Sequence, residues 1–262
     1  MWTLITGAGS GIGRALALEL SNQGHDLILS GRTVSKLEDV AGEVSKHSPQ
    51  CKVITLIADF SDPTSTRNLA NQVRNAVDQL SAFVYCAGVG EPAADFASLD
   101  LIDFQEALAV NVSAPMLLTQ SLLPVLTGHD PAARIVMIGA GMDTQAQPGT
   151  GSYGVSKMAL RRLVQQLSVE FGTMPQGPVI SLFQPGLVDT PGIRHHVDKA
   201  AGLGLPHAQW LRDRLDNGEC LTAEQAASAL AFTLSQQTPE SDFQGAVYNG
   251  RDLVDSLSFA GS

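Results

Sequence analysis

The chain has 262 residues, 44% of them hydrophobic, and its formal net charge is −10. This length and apolar content fit one large α/β domain with a sizeable core. The negative charge argues against nucleic acid as a partner and against binding to anionic membrane surfaces. No apolar run approaches the length needed to cross a bilayer, and no signal peptide is visible, so we expect no membrane partner.

Three widely separated cysteines, Cys51, Cys86 and Cys220, form neither a C-x-x-C pair nor an even set. This usage indicates free, buried packing thiols in a reducing compartment, and therefore a cytoplasmic protein.

A glycine-rich stretch, Thr6–Gly13, separates a predicted buried strand over Trp2–Thr6 from a predicted helix over Arg14–Leu20. The first N–H groups of a helix have no intrahelical partner, and the helix dipole adds positive potential there. Glycine lets the backbone approach a phosphate closely. The stretch therefore predicts a phosphate-binding turn, with a simple connecting turn as the alternative.

The second predicted strand, Asp26–Gly31, is followed directly by Arg32. An NAD site would place an acid here to accept from the ribose hydroxyls, whereas Arg32 offers a planar fork of donors suited to a 2′-phosphate. Asp26 lies at the wrong end of the strand to replace that acid. A solvated surface arginine is the alternative.

Elements continue to alternate along the next part of the chain. Asp62 before Pro63 is typical of a helix N-cap. The predicted elements are a helix over 34–46, a strand over 53–58, a helix ending at Leu80 and a strand over 82–85.

A long helix is predicted from Asp100 to Leu126, with Asn111 in its interior. Pro115, four residues later, has no N–H to donate to the Asn111 carbonyl. We therefore expect a free carbonyl at Asn111 and a kink in the helix.

A fifth strand over Arg134–Ile138 should end at the cleft where such sheets bind ligands. The helix that continues to Phe171 begins with Tyr153 and Lys157, which are four residues apart and therefore share a face. A nearby ammonium is expected to lower the pKa of the phenol, so that Tyr153 can act as an acid or base. A Y-x-x-x-K pattern on a helix surface also occurs by chance.

The last third contains a predicted strand over 178–184, the stretch Pro185–Thr190 and a Gly- and His-containing region to Asn217, with Trp210 as an apolar anchor. Its histidines, His195, His196 and His207, are interpreted as solvated loop residues, and no metal site is predicted. Thr222 and Gln225 predict a capping box for a final helix, followed by a closing strand over 244–249.

In this order, the motifs T-G-x-x-x-G-x-G, an acid with an apolar neighbour, x-A-G, Y-x-x-x-K and P-G-x-V-x-T resemble the short-chain dehydrogenase/reductase family over residues 2–250. The resemblance implies a Rossmann-type, doubly wound α/β fold with a seven-stranded parallel sheet, in a single domain over residues 1–262. It also implies a mobile substrate lid at about 190–217 and a homodimer or homotetramer.

The implied function is NADPH-dependent reduction of a ketone or aldehyde. Tyr153 would donate the proton, Lys157 would hold the ribose and tune Tyr153, and Asn111 would hold a relay water. The implied cofactor-binding residues for NADP are Gly7, Ser10, Gly11, Ile12, Gly13, Arg32, Asp59, Phe60, Ala87, Gly88, Tyr153, Lys157, Pro185, Gly186, Val188 and Thr190.

The chain departs from the family pattern at two places. Cys86 replaces an asparagine that ties neighbouring strands together, and Ala140 replaces the serine whose hydroxyl steadies the substrate carbonyl. Ala140 and Met142 are predicted to line a roomy, apolar substrate pocket, and Thr144 or a water is a candidate replacement for the missing hydroxyl. Because of Ala140, an NADP(H)-binding scaffold or sensor with little turnover is the alternative function.

Overall fold

The structure is a computed structural model that describes residues 1–90, 93–235 and 238–260. Its centre is a seven-stranded sheet in the order β3-β2-β1-β4-β5-β6-β7, with every neighbouring pair parallel. The strands are β1 (Trp2–Thr6), β2 (Asp26–Gly31), β3 (Val53–Ile57), β4 (Ala82–Tyr85), β5 (Arg134–Ile138), β6 (Val179–Gln184) and β7 (Val247–Asn249). The predicted fold class is confirmed.

Helices connect the strands and cover both faces of the sheet. They are α1 (Gly11–Asn22), α2 (Val34–His47), α3 (Pro63–Ala76), α4 (Leu101–Leu108), α5 (Ala114–Leu126), α6 (Gly151–Gly172), α7 (Pro191–Gly202), α8 (His207–Asp216), α9 (Ala223–Leu234), α10 (Glu240–Phe243) and α11 (Gly250–Ala260).

The core consists of two main apolar clusters, because successive side chains of a strand point to opposite faces. In β1, Leu4 packs into a cluster with residues of α3, α5 and α6. The next residue, Ile5, packs into a cluster with residues of α1, α2 and α9. Both strand residues are fully buried, as expected for a parallel sheet covered on two sides.

Several predicted boundaries are wrong. The third helix ends at Ala76 rather than Leu80, because Val77 is already extended (φ −141°). The Thr222 capping box is present, but the helix it starts is not the last one, since α11 follows β7. The predicted continuous helix over 100–126 consists of α4, a π-helical turn at Ala109–Ser113, and α5.

Leu101–Leu126 is also long and apolar enough, by length and composition alone, to cross a membrane. This corrects the expectation that no run approaches that length. In this structure 44% of its most apolar window is buried, and Leu118 and Leu122 pack in the core beneath the sheet. The same composition is typical of a core helix.

The sheet order places β1 between β2 and β4, so the chain reverses its direction of winding at this point. In open α/β sheets, ligands bind in the crevice at the carboxyl ends of the strands where this reversal occurs. The fold therefore brings together the ends of β1, β2, β4 and β5.

Candidate active site

The glycine-rich turn forms the floor of a cleft of about 370 Å³ at the carboxyl end of β1. Gly7 has φ +64°, and a Cβ at Gly13 would lie 2.5 Å from the Gly7 carbonyl oxygen. Only glycine fits at both places. Ser10 is the N-cap of α1 but its side chain makes no capping hydrogen bond. The first N–H groups of α1 thus face the cleft in the manner of a phosphate site.

The far wall of the cleft contains Arg32, Asp59 and Phe60, as predicted from the sequence. The Arg32 side chain is exposed. The backbone N–H and hydroxyl of Ser61 donate to Asp59, and these bonds, with a smaller contribution from Arg32, lower the pKa of its carboxyl group. Lys36 also lines this wall, and the sequence reasoning missed it.

The loop after β4 is supported although Cys86 replaces the family's asparagine. The Thr6 hydroxyl accepts a hydrogen bond from the Ala87 N–H at 3.2 Å. The Asn111 amide accepts from the Val89 N–H at 3.0 Å and donates to the Val89 carbonyl at 2.9 Å. Thr6 and Asn111 therefore hold the segment that carries Ala87 and Gly88 against the cleft.

Asn111 lies in the π-helical turn and is fully buried. The turn is closed by a hydrogen bond from the Ala114 N–H to the Ala109 carbonyl, one residue wider than in an α-helix. Pro115 explains the local change, since it cannot donate to the Asn111 carbonyl. The Asn111 side chain also donates to the Ser156 hydroxyl at 2.9 Å, which links the π-helical turn to α6.

Tyr153 and Lys157 come together beside this loop, although neither belongs to the lining of the cleft itself. The Lys157 ammonium donates to the Ile138 carbonyl at 2.8 Å and lies 5.6 Å from the centre of the Tyr153 ring. A Cβ on Gly88 would lie 3.5 Å from the ammonium, and one on Gly90 would lie 3.8 Å from the Tyr153 ring. Gly88 lines the cleft, and the absence of a side chain there brings the cleft close to the buried Lys157 ammonium.

Burial shifts the pKa of both groups. It raises the pKa of Tyr153 to about 12, with a further contribution from the charge of Asp143, and it lowers the pKa of Lys157 to about 8. The Tyr153 shift is opposite to the expected lowering, because loss of hydration opposes formation of the phenolate. Near neutral pH the site therefore holds a neutral phenol beside an ammonium.

The turn after β5 contains Ala140, the residue that the family resemblance sets at the position of a serine. Ala140 is half-buried and precedes a 3₁₀ turn at Gly141–Asp143. Thr144 is exposed, and its hydroxyl makes a long bond of 3.4 Å to the Gly141 carbonyl within its own turn. Asp143 is buried and accepts from Arg161 and Gln184. The sequence did not signal this last network, because its members are 18 and 41 residues apart.

Of the predicted Pro185–Thr190 stretch, Thr190 lines the cleft, whereas Pro185, Gly186 and Val188 do not contribute to its lining. Thr190 caps α7 by accepting from the Ile193 N–H. Its hydroxyl proton remains available for a ligand, since a hydroxyl both donates and accepts.

The region after Thr190 forms α7 and α8, not a loop, and this corrects the interpretation of its histidines. His207 is 7% exposed, and its ring stacks on that of His196 with Nε2 atoms 3.1 Å apart. The apolar side chains of Val197, Leu211 and Leu215 pair the two helices, and burial follows from this packing. Trp210 is a weaker anchor than expected, since it is 49% exposed beside Arg214.

The two helices contact the loop that precedes Tyr153. Leu205, in the α7–α8 connection, lies so close to Gly149 that a Cβ on Gly149 would overlap it. Within the described ranges, no group of three or more His, Cys, Asp or Glu residues could hold a metal ion.

Comparison with known proteins identifies the class. Residues 1–200 match the short chain dehydrogenase family. A sulfoacetaldehyde reductase 2 of Chromohalobacter salexigens is 30% identical over 191 residues, 71% of this chain and 72% of the relative. The crystal structure of levodione reductase shares the fold, with a TM-score of 0.84 at 22% identity over 96% of this chain and 97% of that one. A Burkholderia cenocepacia short chain dehydrogenase in complex with NADP has a TM-score of 0.77 at 26% identity over 94% of each chain.

The chain belongs to the short-chain dehydrogenase/reductase family. It is an oxidoreductase that uses a nicotinamide cofactor.

Proposed function

We propose that this protein is an NADPH-dependent carbonyl reductase that acts on a ketone or aldehyde, with Tyr153 as the proton donor. The observation that carries the proposal is the Tyr153 ring 5.6 Å from the Lys157 ammonium, next to Gly88, which lines the glycine-rich cleft. A carbonyl that accepts a hydride needs a proton on its oxygen, and a protonated phenol supplies it.

The residues of the cleft fit a dinucleotide. The turn at Ser10–Gly13 offers backbone donors to the pyrophosphate, and Arg32 offers a guanidinium to a 2′-phosphate. Lys157 would hold the ribose hydroxyls, and the Thr190 hydroxyl the carboxamide. The cofactor supplies the hydride when bound; the chain orients it and supplies the proton. The NADP complex of the Burkholderia relative supports the choice of cofactor.

Asn111 would contribute by holding neighbouring segments of the site in place. It fixes the loop that carries Gly88 and, through Ser156, the first turn of α6, because the Ser156 hydroxyl donates to the Tyr153 carbonyl at 2.8 Å. A water held at its carbonyl would complete the proton relay to solvent.

To test this proposal, the rate of NADPH oxidation is measured with a panel of ketones and aldehydes, for the native protein and for Tyr153→Phe. The native protein should turn over at least one carbonyl class. Tyr153→Phe should lose about 10²–10⁴ in kcat, as is usual for loss of a general acid, while its Kd for NADPH stays within a factor of about two, since the ring still packs. Unchanged turnover in the Phe variant would contradict the assignment of the proton donor.

Ala140 supports a second candidate, an NADP(H)-binding scaffold or sensor with little turnover. Losing one oxyanion donor typically costs about 10²–10³ in rate, and Thr144, the candidate replacement, is exposed and bonded within its own turn. Tight NADPH binding with no oxidation across the whole panel would favour the scaffold.

A homodimer or homotetramer is part of the proposal. Val155, Met158 and Val169 expose apolar side chains along α6, and such a row is typical of a protein interface. Light scattering after gel filtration tests it: a monomer at micromolar concentration would contradict it. The mobility of the proposed lid, α7 and α8, would be tested by hydrogen exchange with and without NADPH.

A further inference from the structure

The helices α7 and α8 meet at a pair of histidine side chains. The Nε2 atoms of His196 and His207 are 3.1 Å apart, and the two rings are inclined by only 22°. His207 is buried and His196 is half-buried. At this distance the two ring nitrogens form a hydrogen bond, so one of them donates a proton and the other accepts it.

The contact between these two rings limits the number of protons that the pair can hold. A neutral imidazole has one nitrogen that can accept, whereas both nitrogens of an imidazolium are donors. The hydrogen bond therefore exists when both rings are neutral or when one ring is charged. A second added proton would place an N–H group on each of the facing nitrogens and two positive charges in contact, so the bond would be lost and the rings would repel each other.

The surroundings of the inner ring act in the same direction. Burial lowers the pKa of His207, and the charge of His196 lowers it further, whereas the Pro148 backbone raises it. The loop over residues 144–150, which contains Pro148, has no titratable side chain. A pair of coupled histidines takes up its two protons in separate steps, of which the second lies at lower pH.

Other charged groups on and beside the two helices do not titrate in the same range. Three ion pairs are present, Asp198–Arg212 across the two helices, Arg194–Asp189 and Arg214–Glu219. The exposed groups are His195, Lys199, Asp213 and Asp216 on the helices, and Asp95 two residues after Ala93, which packs on them. Of these residue types, only histidine ordinarily changes its charge between about pH 5.5 and 7.5.

The α7–α8 pair also contacts the segment that leads to Tyr153. Leu205, in the connection between the two helices, packs directly on Gly149. The Gly149 carbonyl in turn accepts from the Ala94 N–H at 3.2 Å. A change in the packing of α7 and α8 would therefore reach the loop that ends four residues before Tyr153.

We propose that the His196–His207 contact is a pH-sensitive closure of the α7–α8 pair, which holds at neutral pH and opens when acid protonates both rings. The second proton binds mainly after the rings have separated, so the closed form is fully favoured above about pH 6.5 and loses stability as the pH falls below that value. Opening would loosen the loop before Tyr153. The inference is independent of the proposed function, since it requires neither cofactor nor substrate.

The test is amide hydrogen exchange of α7 and α8 at about pH 7.5 and about pH 5.5, corrected for the intrinsic effect of pH on exchange. In the native protein the opening equilibrium of the two helices should rise about tenfold at the lower pH, as expected for one additional proton bound by the open form. Exchange in α9 reports global unfolding and should stay unchanged. Equal opening of α7 and α8 at both pH values would overturn the proposal.

Two variants identify the group that titrates. His196→Gln supplies an amide that can donate to or accept from His207 but stays neutral, so the tenfold rise at acidic pH should disappear. The matched control is His195→Gln, which removes the adjacent, exposed histidine of the same helix and should behave like the native protein. A His196→Gln variant that opens in acid as much as the native protein would contradict the role of the pair.

A second measurement uses the native protein, so that it does not depend on the folding of His196→Gln. Nitrogen-15 NMR follows the rings of the six histidines, and the His207 signals are assigned by comparison with His207→Gln or through the backbone. The His207 ring should take up its proton in the same pH range in which exchange of α8 rises. Protonation of both rings without any increase in α8 exchange would overturn the proposal.

Discussion

The two halves of the proposed site, one for the cofactor and one for the substrate, are built in different ways. The cofactor half, made of the Gly7–Gly13 turn, Arg32 and the Asp59–Phe60 segment, is shaped mainly by backbone and by missing side chains. The substrate half, made of residues 139–150 with α7 and α8, is shaped by side chains: the Asp143 network, the His196–His207 stack and the contact of Leu205 with Gly149.

This difference teaches which features a family motif can specify. Where a turn accepts only glycine, the glycines must stand at a fixed spacing in the sequence. Binding a phosphate through backbone N–H groups requires the same turn, so few other residues are compatible with it. A substrate pocket built from side chains can be rebuilt without disturbing the fold. Ala140 lies in the second half, where the chain departs from its family.

The largest effect is expected for Gly13→Ala in the cofactor half. The new methyl group would lie 2.5 Å from the Gly7 carbonyl oxygen, so the backbone must move. We expect a loss of about 1–3 kcal/mol in the free energy of unfolding, as for other overpacked sites, and no measurable NADPH binding. Gly141→Ala is the control in the substrate half, since nothing lies within 4 Å of its Cβ position. Calorimetric titration with NADPH measures the affinity of both variants. Equal affinities would contradict the predicted difference between the cofactor half and the substrate half.

The next largest effect is expected for Ala140→Ser in the substrate half. The change adds a donor between Gly139 and Gly141, where the proposed reaction would develop charge on the substrate oxygen. We expect kcat to rise by about tens- to hundreds-fold, the range of such donors, with an unchanged Kd for NADPH. A fall in kcat would show that another group already fills this role. Thr144→Val would then be measured in both backgrounds. Loss of the Thr144 hydroxyl should lower kcat when residue 140 is alanine and leave kcat unchanged when it is serine.

A smaller effect is expected for Arg32→Ala. The native protein should bind NADPH more tightly than NADH, and the variant should lose most of that preference. A charge-assisted pair contributes about 1.5–3 kcal/mol, or one to two decades of affinity. Arg67→Ala, an exposed arginine on α3, is the matched control. Equal dissociation constants for the two cofactors in the native protein would show that Arg32 is an ordinary surface arginine.

A further prediction concerns the effect of Lys157 on stability. Burial lowers its pKa from 10.5 to about 8, so the unfolded chain binds more protons between these values and stability should rise as pH increases through this window. At neutral pH the buried ammonium is a cost, and Lys157→Met should stabilise the fold by on the order of 2 kcal/mol while abolishing reduction. Lys52→Met, at an exposed site, should change neither the free energy of unfolding nor the rate of reduction. A destabilised Met variant at pH 7 would contradict the sign of this shift.

The same pKa gives the pH dependence of the reaction. Carbonyl reduction should decline as the pH rises through about 8, because Lys157 then loses its proton. Tyr153, with its pKa near 12, should stay protonated beyond that point.

Much of the fold could be predicted from the sequence, because strands of continuous apolar residues alternate with amphipathic helices. β1, β2, β4 and β5 have the predicted boundaries. The end of α3 was misplaced, because its polar surface pattern does not change where the helix stops at Ala76. Residues 250–260 were not predicted as a helix, although Leu253 and Val254 pack on the core.

In the site, Pro115 allowed the irregularity at Asn111 to be predicted, since a missing N–H is visible in any sequence. The pairing of α7 with α8, and thus the burial of His207, depends on apolar contacts between helices that a local pattern does not reveal. The raised pKa of Tyr153 depends on its burial and on Asp143. The spacing of Tyr153 and Lys157 pointed to the opposite sign.

The most direct measurement follows deuterium from NADPH labelled at the transferring position of the nicotinamide into the product. With a carbonyl that the panel identifies, the account predicts one deuterium on the carbinol carbon for each NADPH oxidised, and loss of this transfer in Tyr153→Phe with NADPH still bound. NADPH oxidation without deuterium in the product, or equal transfer by the Phe variant, would contradict hydride reduction with Tyr153 as the proton donor.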